Sequence, residues 1–242
     1  MQIIPAIDIR DGHCVRLLYG DYDAETRYDV DPVERAQFYA SIGLKHLHIV
    51  DLDGARDGSP RNAALIERMV AASGVSVQVG GGIRTAAHIR TLLDHGVARV
   101  VIGSTAVKQP DLVTDWLSQF GASRVVLALD VRFDQHGQPL VTTDAWQSTS
   151  AATLYELIDR YLTVGLRHVL CTDISRDGAL SGPSVDLYRT TLTRYPQLQL
   201  QASGGVSCIE DLQALREAGL PAAITGKALL EGKITAEQLA AC

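Results

Sequence analysis

The sequence repeats itself once, at a spacing close to half of its 242 residues. Asp8 and Asp130 stand in similar stretches, residues 4–10 and 126–132, and lie 122 residues apart. An ordered series of matches with little drift in spacing indicates two copies of one structural unit, here about residues 1–122 and 123–242. Further landmarks recur at offsets of 120–123 residues: Gly43/Gly165, His46/His168, Asp51/Asp173, Arg56/Arg176, Gly81/Gly204, Gly96/Gly219 and Gly103/Gly226.

Short apolar runs alternate with amphipathic segments along the whole chain. Most runs are apolar at consecutive positions and rich in β-branched residues, which is typical of parallel strands buried on both faces. Asp31-Pro32 predicts the start of one helix, and Ser207 with Glu210 predicts a capping box at another. Eight strands are predicted, at residues 3–9, 46–51, 75–79, 98–102, 124–130, 168–172, 198–202 and 222–225.

Two α/β folds accommodate eight alternating strand–helix units: a closed (β/α)8 barrel and an open doubly wound sheet. The repeat favours the barrel, because a closed ring of eight strands has a two-fold pseudo-symmetry that an open sheet lacks. The length is close to the ~250 residues of such barrels, and no Ser/Gly/Pro-rich linker divides the chain. We therefore predict one TIM-barrel domain over residues 1–242, built from two half-barrels.

Composition and charge exclude several classes of protein. A 46% hydrophobic and 21% charged chain is globular, and a net charge of −6 disfavours general binding of nucleic acid. The longest apolar run, residues 125–129, is far shorter than the ~20 residues that span a bilayer, so no membrane association is expected. No signal peptide is visible, and four scattered cysteines indicate reduced thiols. We therefore expect a cytoplasmic location.

Two aspartates are the first candidates for chemistry. In barrels of this kind the active site lies at the C-terminal ends of the strands, where Asp8 and Asp130 fall on opposite sides of the ring. Facing carboxylates in different surroundings can divide into a general base and a general acid. The alternative is structural, with each aspartate capping its loop or pairing with Arg10 or Arg132. The repeated occurrence favours catalysis, although symmetry would also preserve a structural cap.

Glycine-rich turns follow four of the predicted strands, in two opposed pairs. Glycine lets backbone N–H groups approach an anion closely, and the turns after strands seven and eight frequently bind phosphate in these barrels. The alternative is that the glycines only permit tight turns. Two complete pairs favour two phosphate sites, and thus a small substrate phosphorylated at both ends. The turns are Gly80-Gly81-Gly82, Gly103-Ser104, Ser203-Gly204-Gly205 and Gly226.

Other residues near the predicted mouth are weaker candidates. His48 and Thr172 lie on strands two and six, where packing in the core is the simpler interpretation. Trp146 stands in a polar segment and is either a buried loop anchor or a lid that stacks on a planar substrate. The long segment after strand one, which contains Arg16, is a possible second lid. The histidines, cysteines and aspartates show no metal-ligand spacing, so no metal is expected.

Eight stretches, taken together and in order, carry a specific resemblance. They are residues 4–8, 48–55, 79–84, 101–104, 127–130, 171–178, 203–206 and 226–229. With them the chain resembles the phosphoribosylformimino-aminoimidazole-carboxamide-ribotide isomerases of histidine biosynthesis over nearly its whole length. The resemblance implies an Amadori rearrangement of an aminoaldose to an aminoketose, on a substrate with a phosphate at each end. It implies no cofactor and no obligate protein partner.

The resemblance also assigns roles. Asp8 matches the base that removes the proton at the sugar C2, and Asp130 matches the acid that protonates the ring oxygen. Thr172 matches a residue that hydrogen-bonds the sugar, His48 a polar residue near it, and Trp146 the aromatic that stacks on the substrate. Arg16 and Asp177 are further predicted to bind substrate. The predicted phosphate-binding residues are Gly81, Gly82, Arg84, Gly103, Ser104, Gly178, Gly204, Gly205, Gly226 and Lys227.

One position departs from the family pattern. The family usually shows Gly-Trp in the fifth loop, whereas this chain has Ala145-Trp146, preceded by Asp144. Alanine disfavours the positive φ that glycine adopts easily. The replacement therefore puts in doubt whether the loop exchanges conformations as in the family, but it does not affect the expected chemistry.

Two other functions stay open at this point. The cyclase subunit of imidazole glycerol phosphate synthase shares the half-barrel repeat, the opposed aspartates and both phosphate sites, but would need a glutaminase partner. Trp146 and residues 172–177 favour the isomerase over this cyclase. A non-catalytic phosphosugar sensor on the same barrel is the third reading, since a fold alone does not prove activity. A second activity on the related anthranilate-linked ribotide, which has one phosphate, is also left open.

Overall fold

The computed structural model describes residues 1–18, 20–143, 146 and 148–241. The strands within them are β1 (Gln2–Arg10), β2 (His13–Leu18), β3 (Asp21–Arg27), β4 (His46–Asp51), β5 (Ser76–Gly80), β6 (Arg99–Ile102), β7 (Val125–Ala128), β8 (Val131–Phe133), β9 (Pro139–Thr143), β10 (Ser148–Thr153), β11 (His168–Thr172), β12 (Gln199–Ser203) and β13 (Ala222–Thr225). The helices are α1 (Pro32–Ser41), α2 (Leu52–Asp57), α3 (Ala63–Ser73), α4 (Ala86–Asp94), α5 (Ser104–Lys108), α6 (Pro110–Phe120), α7 (Leu154–Leu162), α8 (Val185–Arg194), α9 (Ile209–Glu217), α10 (Lys227–Leu230) and α11 (Ala236–Ala241).

Eight parallel strands close into a ring. In ring order they are β1, β4, β5, β6, β7, β11, β12 and β13, and β13 pairs with β1 through residues 222–225 and 2–5. Helices lie between consecutive barrel strands. The predicted (β/α)8 TIM barrel is therefore confirmed. The open sheet is wrong, because an open sheet would leave its first and last strands unpaired.

The alternation of side chains explains the unbroken apolar runs. One set of strand residues, such as Ala6, Val101 and Leu170, forms a small cluster inside the barrel. Their neighbours, such as Val100 and Val169, join the larger core between strands and helices. Parallel strands covered on both faces are apolar at nearly every position, which is why the sequence located them to within a few residues.

Two connections carry extra antiparallel strands and form what we call the lids. Lid one, residues 13–27, contains β2 and β3, and β2 pairs with the end of β1. Lid two, residues 131–153, contains the three-stranded sheet of β8, β9 and β10. They follow barrel strands one and five, so they stand on opposite sides of the ring.

The capping patterns in the sequence predicted the start of helix α1 correctly and the capping residues of helix α9 wrongly. Asp31 caps α1 by accepting hydrogen bonds from the backbone of Val33 (2.7 Å) and Glu34 (3.1 Å), as predicted. The predicted Ser207–Glu210 capping box is wrong by one residue. Helix α9 is capped at Cys208, and Asp211 accepts from the Ser207 backbone (2.8 Å) and the Cys208 backbone (3.3 Å). Asp211 replaces Glu210 because it is the third residue of the helix that forms.

No helix in the described part of the chain is long and apolar enough to cross a membrane. Cys14, Cys171 and Cys208 are free thiols, and Cys14 and Cys171 are buried. Cys242 lies outside the described residues.

Candidate active site

One cavity of about 780 Å³ opens at the C-terminal ends of the barrel strands. All seventeen residues predicted to be catalytic, substrate-binding or phosphate-binding line it. These residues lie together because the parallel strands of a closed barrel all end at the same face, so the residues at and just after their C-terminal ends surround one opening. The cavity thus brings the predicted groups together.

Asp8 lies on β1 and is 7% exposed. Its Oδ2 accepts a hydrogen bond from Nη1 of Arg16 at 3.0 Å, and Nη2 of Arg16 donates to both carboxylate oxygens of Asp177 at 2.7 Å. Burial raises the pKa of Asp8 above its usual range, while the Arg16 guanidinium opposes this rise by favouring the ionised form. Asp8 therefore stands beside a fixed cation.

The Arg16 guanidinium is held between two carboxylates, those of Asp8 and Asp177. Burial lowers the pKa of Arg16, but the charges of Asp177 and Asp8 outweigh burial and hold that pKa above its usual range. Arg16 thus stays protonated and bridges β1 to the loop that follows β11. Through this partly buried ion pair, in which one guanidinium nitrogen contacts both carboxylate oxygens, lid one is tied to the loop after β11.

Asp130 lies two residues beyond the end of β7 and has different partners. Its Oδ2 accepts the indole Nε1–H of Trp146 at 2.8 Å, and the Thr172 hydroxyl also hydrogen-bonds it. Burial raises the pKa of Asp130, and these two hydrogen bonds oppose the rise. Both partners are neutral donors, and among the described residues no cation pairs with Asp130 as Arg16 pairs with Asp8.

The predicted pairing of Asp8 with Arg10 and of Asp130 with Arg132 is not found among the described residues. Arg10 does not pair with Asp8; its Nη1 donates to Glu25 at 2.7 Å and to the Tyr22 carbonyl at 3.0 Å within lid one. Arg132 is exposed on β8, while Asp130 bonds to Trp146 and Thr172. Both carboxylates are therefore directed toward groups of the cavity rather than toward the arginine two residues further on.

Trp146 joins the two lids above the cavity. It has a φ of +70°, which is uncommon for a bulky residue. A Cβ on Gly20 of lid one would lie 2.8 Å from Cε3 of the Trp146 ring, so only glycine fits there. Ala145 and Asp144, where the sequence departs from the family pattern, lie outside the described residues.

The turn after β5 packs backbone against backbone. Gly81 and Gly82 have φ of +112° and +69°. A Cβ at Gly81 would lie 2.1 Å from the Asp51 carbonyl, and one at Gly82 would lie 2.2 Å from the Gly54 carbonyl. Glycine is required here by the close approach of neighbouring loops as well as by the backbone conformation.

The turn after β12 repeats this arrangement across the barrel. Gly204 and Gly205 have φ of +93° and +86°. A Cβ at Gly205 would lie 2.2 Å from the Gly182 carbonyl, and one at Gly204 would lie 2.9 Å from the Asp173 carbonyl. The structural explanation of the glycines therefore holds, yet the same turns also line the cavity, where backbone N–H groups can bind an anion.

Two buried aspartates organise the loops behind these turns, and the sequence marked them only as landmarks. Asp51 accepts backbone hydrogen bonds from Gly54 (2.8 Å), Arg61 (2.7 Å) and Asn62 (3.0 Å). The corresponding Asp173 accepts from the backbone of Ser175 at 3.0 Å and from the hydroxyl of Ser184. Their recurrence at an offset of 122 residues was the available signal.

Basic groups line both sides of the cavity. Arg84 and Lys227 were predicted, and Nζ of Lys227 donates to the Gly178 carbonyl at 3.2 Å. Arg56 and Lys108 also line the cavity and were missed. Lys108 ends the short helix α5 that begins at Ser104, so its place one turn beyond the predicted phosphate turn was a usable signal. These cations make an anionic ligand electrostatically favourable despite the net charge of −6.

His48 lies on β4 and is 7% exposed, and it faces the cavity. Burial and the nearby Arg16 lower its pKa to about 4, so the imidazole is neutral near pH 7. Among the described residues, no group of three or more histidines, cysteines, aspartates or glutamates is arranged to hold a metal ion.

A family model described as histidine biosynthesis protein matches residues 2–235. The match spans every barrel strand, both lids and all residues of the cavity described above.

Proposed function

The chain belongs to the histidine biosynthesis protein family, and on that premise we propose that it is the isomerase of that family. The family comprises barrel enzymes of histidine biosynthesis, both the isomerase and the cyclase. The proposed substrate is the bisphosphorylated formimino-aminoimidazole-carboxamide ribotide. One observation carries the proposal: two opposed carboxylates share one cavity, one paired with a guanidinium and the other with neutral donors.

The surroundings of the two carboxylates suit opposite proton transfers. Asp8, next to Arg16, is the more easily ionised and is suited to accept a proton. Asp130, buried and bonded only to neutral donors among its described hydrogen-bond partners, is suited to hold a proton and donate it. A pair whose pKa values are separated by environment is the usual basis of acid–base catalysis by carboxyl groups.

The proposed reaction is an internal redox exchange that needs no outside electron carrier. Asp130 donates its proton to the ring oxygen of the aminoaldose, the C1–O bond breaks, and the nitrogen lone pair forms an imine at C1. Asp8 then removes the proton from C2, which gives an enaminol. Protonated Asp8 returns its proton to C1, and loss of the C2 hydroxyl proton, which restores protonated Asp130, yields the aminoketose, so C1 is reduced and C2 is oxidised. Thr172 and His48 line the same cavity and are placed to bind sugar hydroxyls.

The two glycine turns support a substrate with a phosphate at each end. They follow β5 and β12, which are four strands apart in the ring and therefore face each other across the mouth. Arg84 accompanies the first turn, and Lys227 with Gly178 accompanies the second. Backbone N–H groups and a few cations suffice to bind phosphate.

The cyclase is the nearest alternative. Trp146 favours the isomerase, because the indole hydrogen-bonds the proposed acid and covers it from lid two. A planar aromatic at this place is suited to stack on an imidazole-carboxamide base. A non-catalytic sensor is disfavoured, since two buried carboxylates beside bound phosphates would cost binding energy without a catalytic purpose. A cytoplasmic location and independence of a protein partner belong to the same proposal.

The decisive assay supplies the purified protein with the formimino ribotide and follows formation of the ketose, without ammonia or any partner protein. We expect turnover in the wild type and a loss of several orders of magnitude in Asp8→Asn. No product from folded wild type would exclude the isomerase. Product formed only from the ketose and ammonia would assign the cyclase. The anthranilate-linked ribotide, tested in parallel, decides whether a second activity exists.

A further inference from the structure

Two buried glutamines meet inside the barrel beneath the cavity. Gln78 lies on β5 and Gln201 on β12, and each is 3% exposed. Nε2 of Gln78 donates to Oε1 of Gln201 at 2.7 Å, and Nε2 of Gln201 donates to Oε1 of Gln78 at 3.0 Å. The two are 123 residues apart, the offset of the repeat, so their reciprocal pair bridges equivalent strands of the two halves.

The pair reaches one residue of the active site. Gln78 stands directly beside His48 in the β4–β5 register, and its Nε2 lies 3.1 Å from Nδ1 of the imidazole. An amide nitrogen has two hydrogens and no lone pair to accept with. One hydrogen goes to Gln201, so the other is the one directed at His48, and Nδ1 must accept it.

This contact has a consequence for the proton of the imidazole. A neutral imidazole has one N–H, and His48 is neutral near pH 7 because of its burial and the nearby Arg16. If Nδ1 accepts, the proton resides on Nε2. Because His48 lines the cavity, Nε2–H is then a hydrogen-bond donor available to a ligand oxygen.

The two halves differ at this point. The residue that corresponds to His48 in the second half is Leu170, 122 positions later, which belongs to the apolar cluster inside the barrel. Gln201 therefore has no ring nitrogen beside it. Each half contributes one glutamine to the pair, but only Gln78, in the first half, contacts a cavity residue, His48.

We infer that the Gln78–Gln201 pair is a positioning device that fixes His48 as its Nε2–H tautomer, so that His48 donates a hydrogen bond to an oxygen of the substrate. The pair holds the Gln78 amide where its Nε2 lies 3.1 Å from Nδ1 of His48. The tautomer assignment is independent of the reaction. Only its effect on turnover rests on the proposed isomerase function.

The first test reads the tautomer directly, by two-dimensional ¹H–¹⁵N NMR of the imidazole nitrogens in ¹⁵N-histidine-labelled, ligand-free protein at pH 7. We expect His48 to show one tautomer with the proton on Nε2. In Gln78→Met, which keeps the side-chain length but removes the donor, a mixture of tautomers is expected. Gln201→Met breaks the pair that holds the Gln78 amide in place, so a mixture of tautomers is expected there as well.

Four results would overturn the inference: a proton on Nδ1 in the wild type, a mixture in the wild type, an unchanged tautomer in Gln78→Met, or an unchanged tautomer in Gln201→Met. Should Gln78→Met not fold, Gln78→Asn, whose shorter amide does not reach Nδ1, gives the same readout. Because no substrate is present, these results stand whether or not the protein is the isomerase.

The second test is kinetic and separates positioning from a merely structural role. Gln78→Met should lower kcat/KM about tenfold in the wild type, the effect of weakening one hydrogen bond. In the His48→Gln background the same change should have little effect, because a glutamine side chain has no tautomer to lose. Equal losses in the two backgrounds would show that Gln78 acts only on packing and would overturn the kinetic part.

Discussion

The two halves of the barrel present an aspartate at the same position of the repeat, and surround it with different partners. In the first half, Asp8 contacts Arg16, which is held in turn by Asp177. In the second half, Asp130 contacts Trp146 and Thr172. The barrel strands supply the symmetry, and the two lids supply the difference. A repeated fold can thus hold two equivalent carboxylates in different surroundings when the loops added to its halves differ.

The largest expected effect comes from removing either carboxylate. Asp8→Asn and Asp130→Asn should each lower kcat about a thousandfold, the usual contribution of a general acid or base, while substrate binding persists. The two variants should also lose opposite limbs of the pH profile: the acidic limb for Asp8 and the basic limb for Asp130. Asp23→Asn, at an exposed carboxylate of lid one, is the matched control and should keep wild-type turnover. Near-normal turnover in either active-site variant would reject its role.

The glycine turns should respond alike in the two halves. In Gly82→Ala and Gly205→Ala the new Cβ would lie 2.2 Å from a backbone oxygen at positive φ. We expect each to lower the free energy of unfolding by about 3 kcal/mol, the sum of a left-handed backbone and overpacking. Gly165→Ala has positive φ but open space around the Cβ, so about 1 kcal/mol is expected. Denaturant titration measures all three, and equal losses would contradict the packing argument.

His48, which has no counterpart in the second half, should make the fold sensitive to acid. Its pKa is lowered to about 4 in the folded protein from 6.5, so the unfolded state binds the proton more readily. Stability is therefore full above about pH 6.5 and falls as the pH is lowered toward 4, by up to about 3 kcal/mol. His48→Gln should flatten this part of the stability profile. An unchanged profile in that variant would show that other groups carry the acid sensitivity.

The smallest expected effect concerns the cation that distinguishes the two carboxylates. Arg16→Gln removes the group that favours ionised Asp8, so the pKa of Asp8 should rise and the acidic limb of kcat/KM should move to higher pH. At pH 7 we expect about a tenfold loss of kcat/KM, the size of one lost charge-assisted hydrogen bond. Arg10→Gln, which breaks the Glu25 contact in the same lid, controls for general loosening. An acidic limb that stays in place in Arg16→Gln would contradict the role of this cation.

Much of the fold was readable from the sequence because the barrel strands are covered on both faces. Their unbroken apolar runs and the 122-residue offset indicated a closed ring, and the closing β1–β13 pairing confirms it. The strands of the lids were not predicted. β3 and β10 consist mostly of polar, partly exposed residues, so they carry neither an apolar run nor a clear alternation.

The cavity residues were predictable as a set, since strand ends and glycine turns in a barrel must meet at one mouth. Their partners were less so. The Arg16–Asp177 contact joins residues 161 positions apart. The sequence around neither residue contains a pattern that predicts this contact. The Gln78–Gln201 pair does have a signal in the sequence, since its spacing equals the repeat offset, but each glutamine lies within an otherwise mostly apolar strand that gives it no distinguishing pattern.

The division of roles between the two aspartates is tested most directly by titrating their carboxyl groups. The ¹³C resonances of Asp8 and Asp130 can be assigned by comparison with the two asparagine variants and followed with pH in the ligand-free protein. The contacts described here predict that both carboxyls titrate above the usual aspartate range, and that Asp8 ionises at lower pH than Asp130. Coincident titration, or Asp130 ionising first, would contradict the assignment of base and acid.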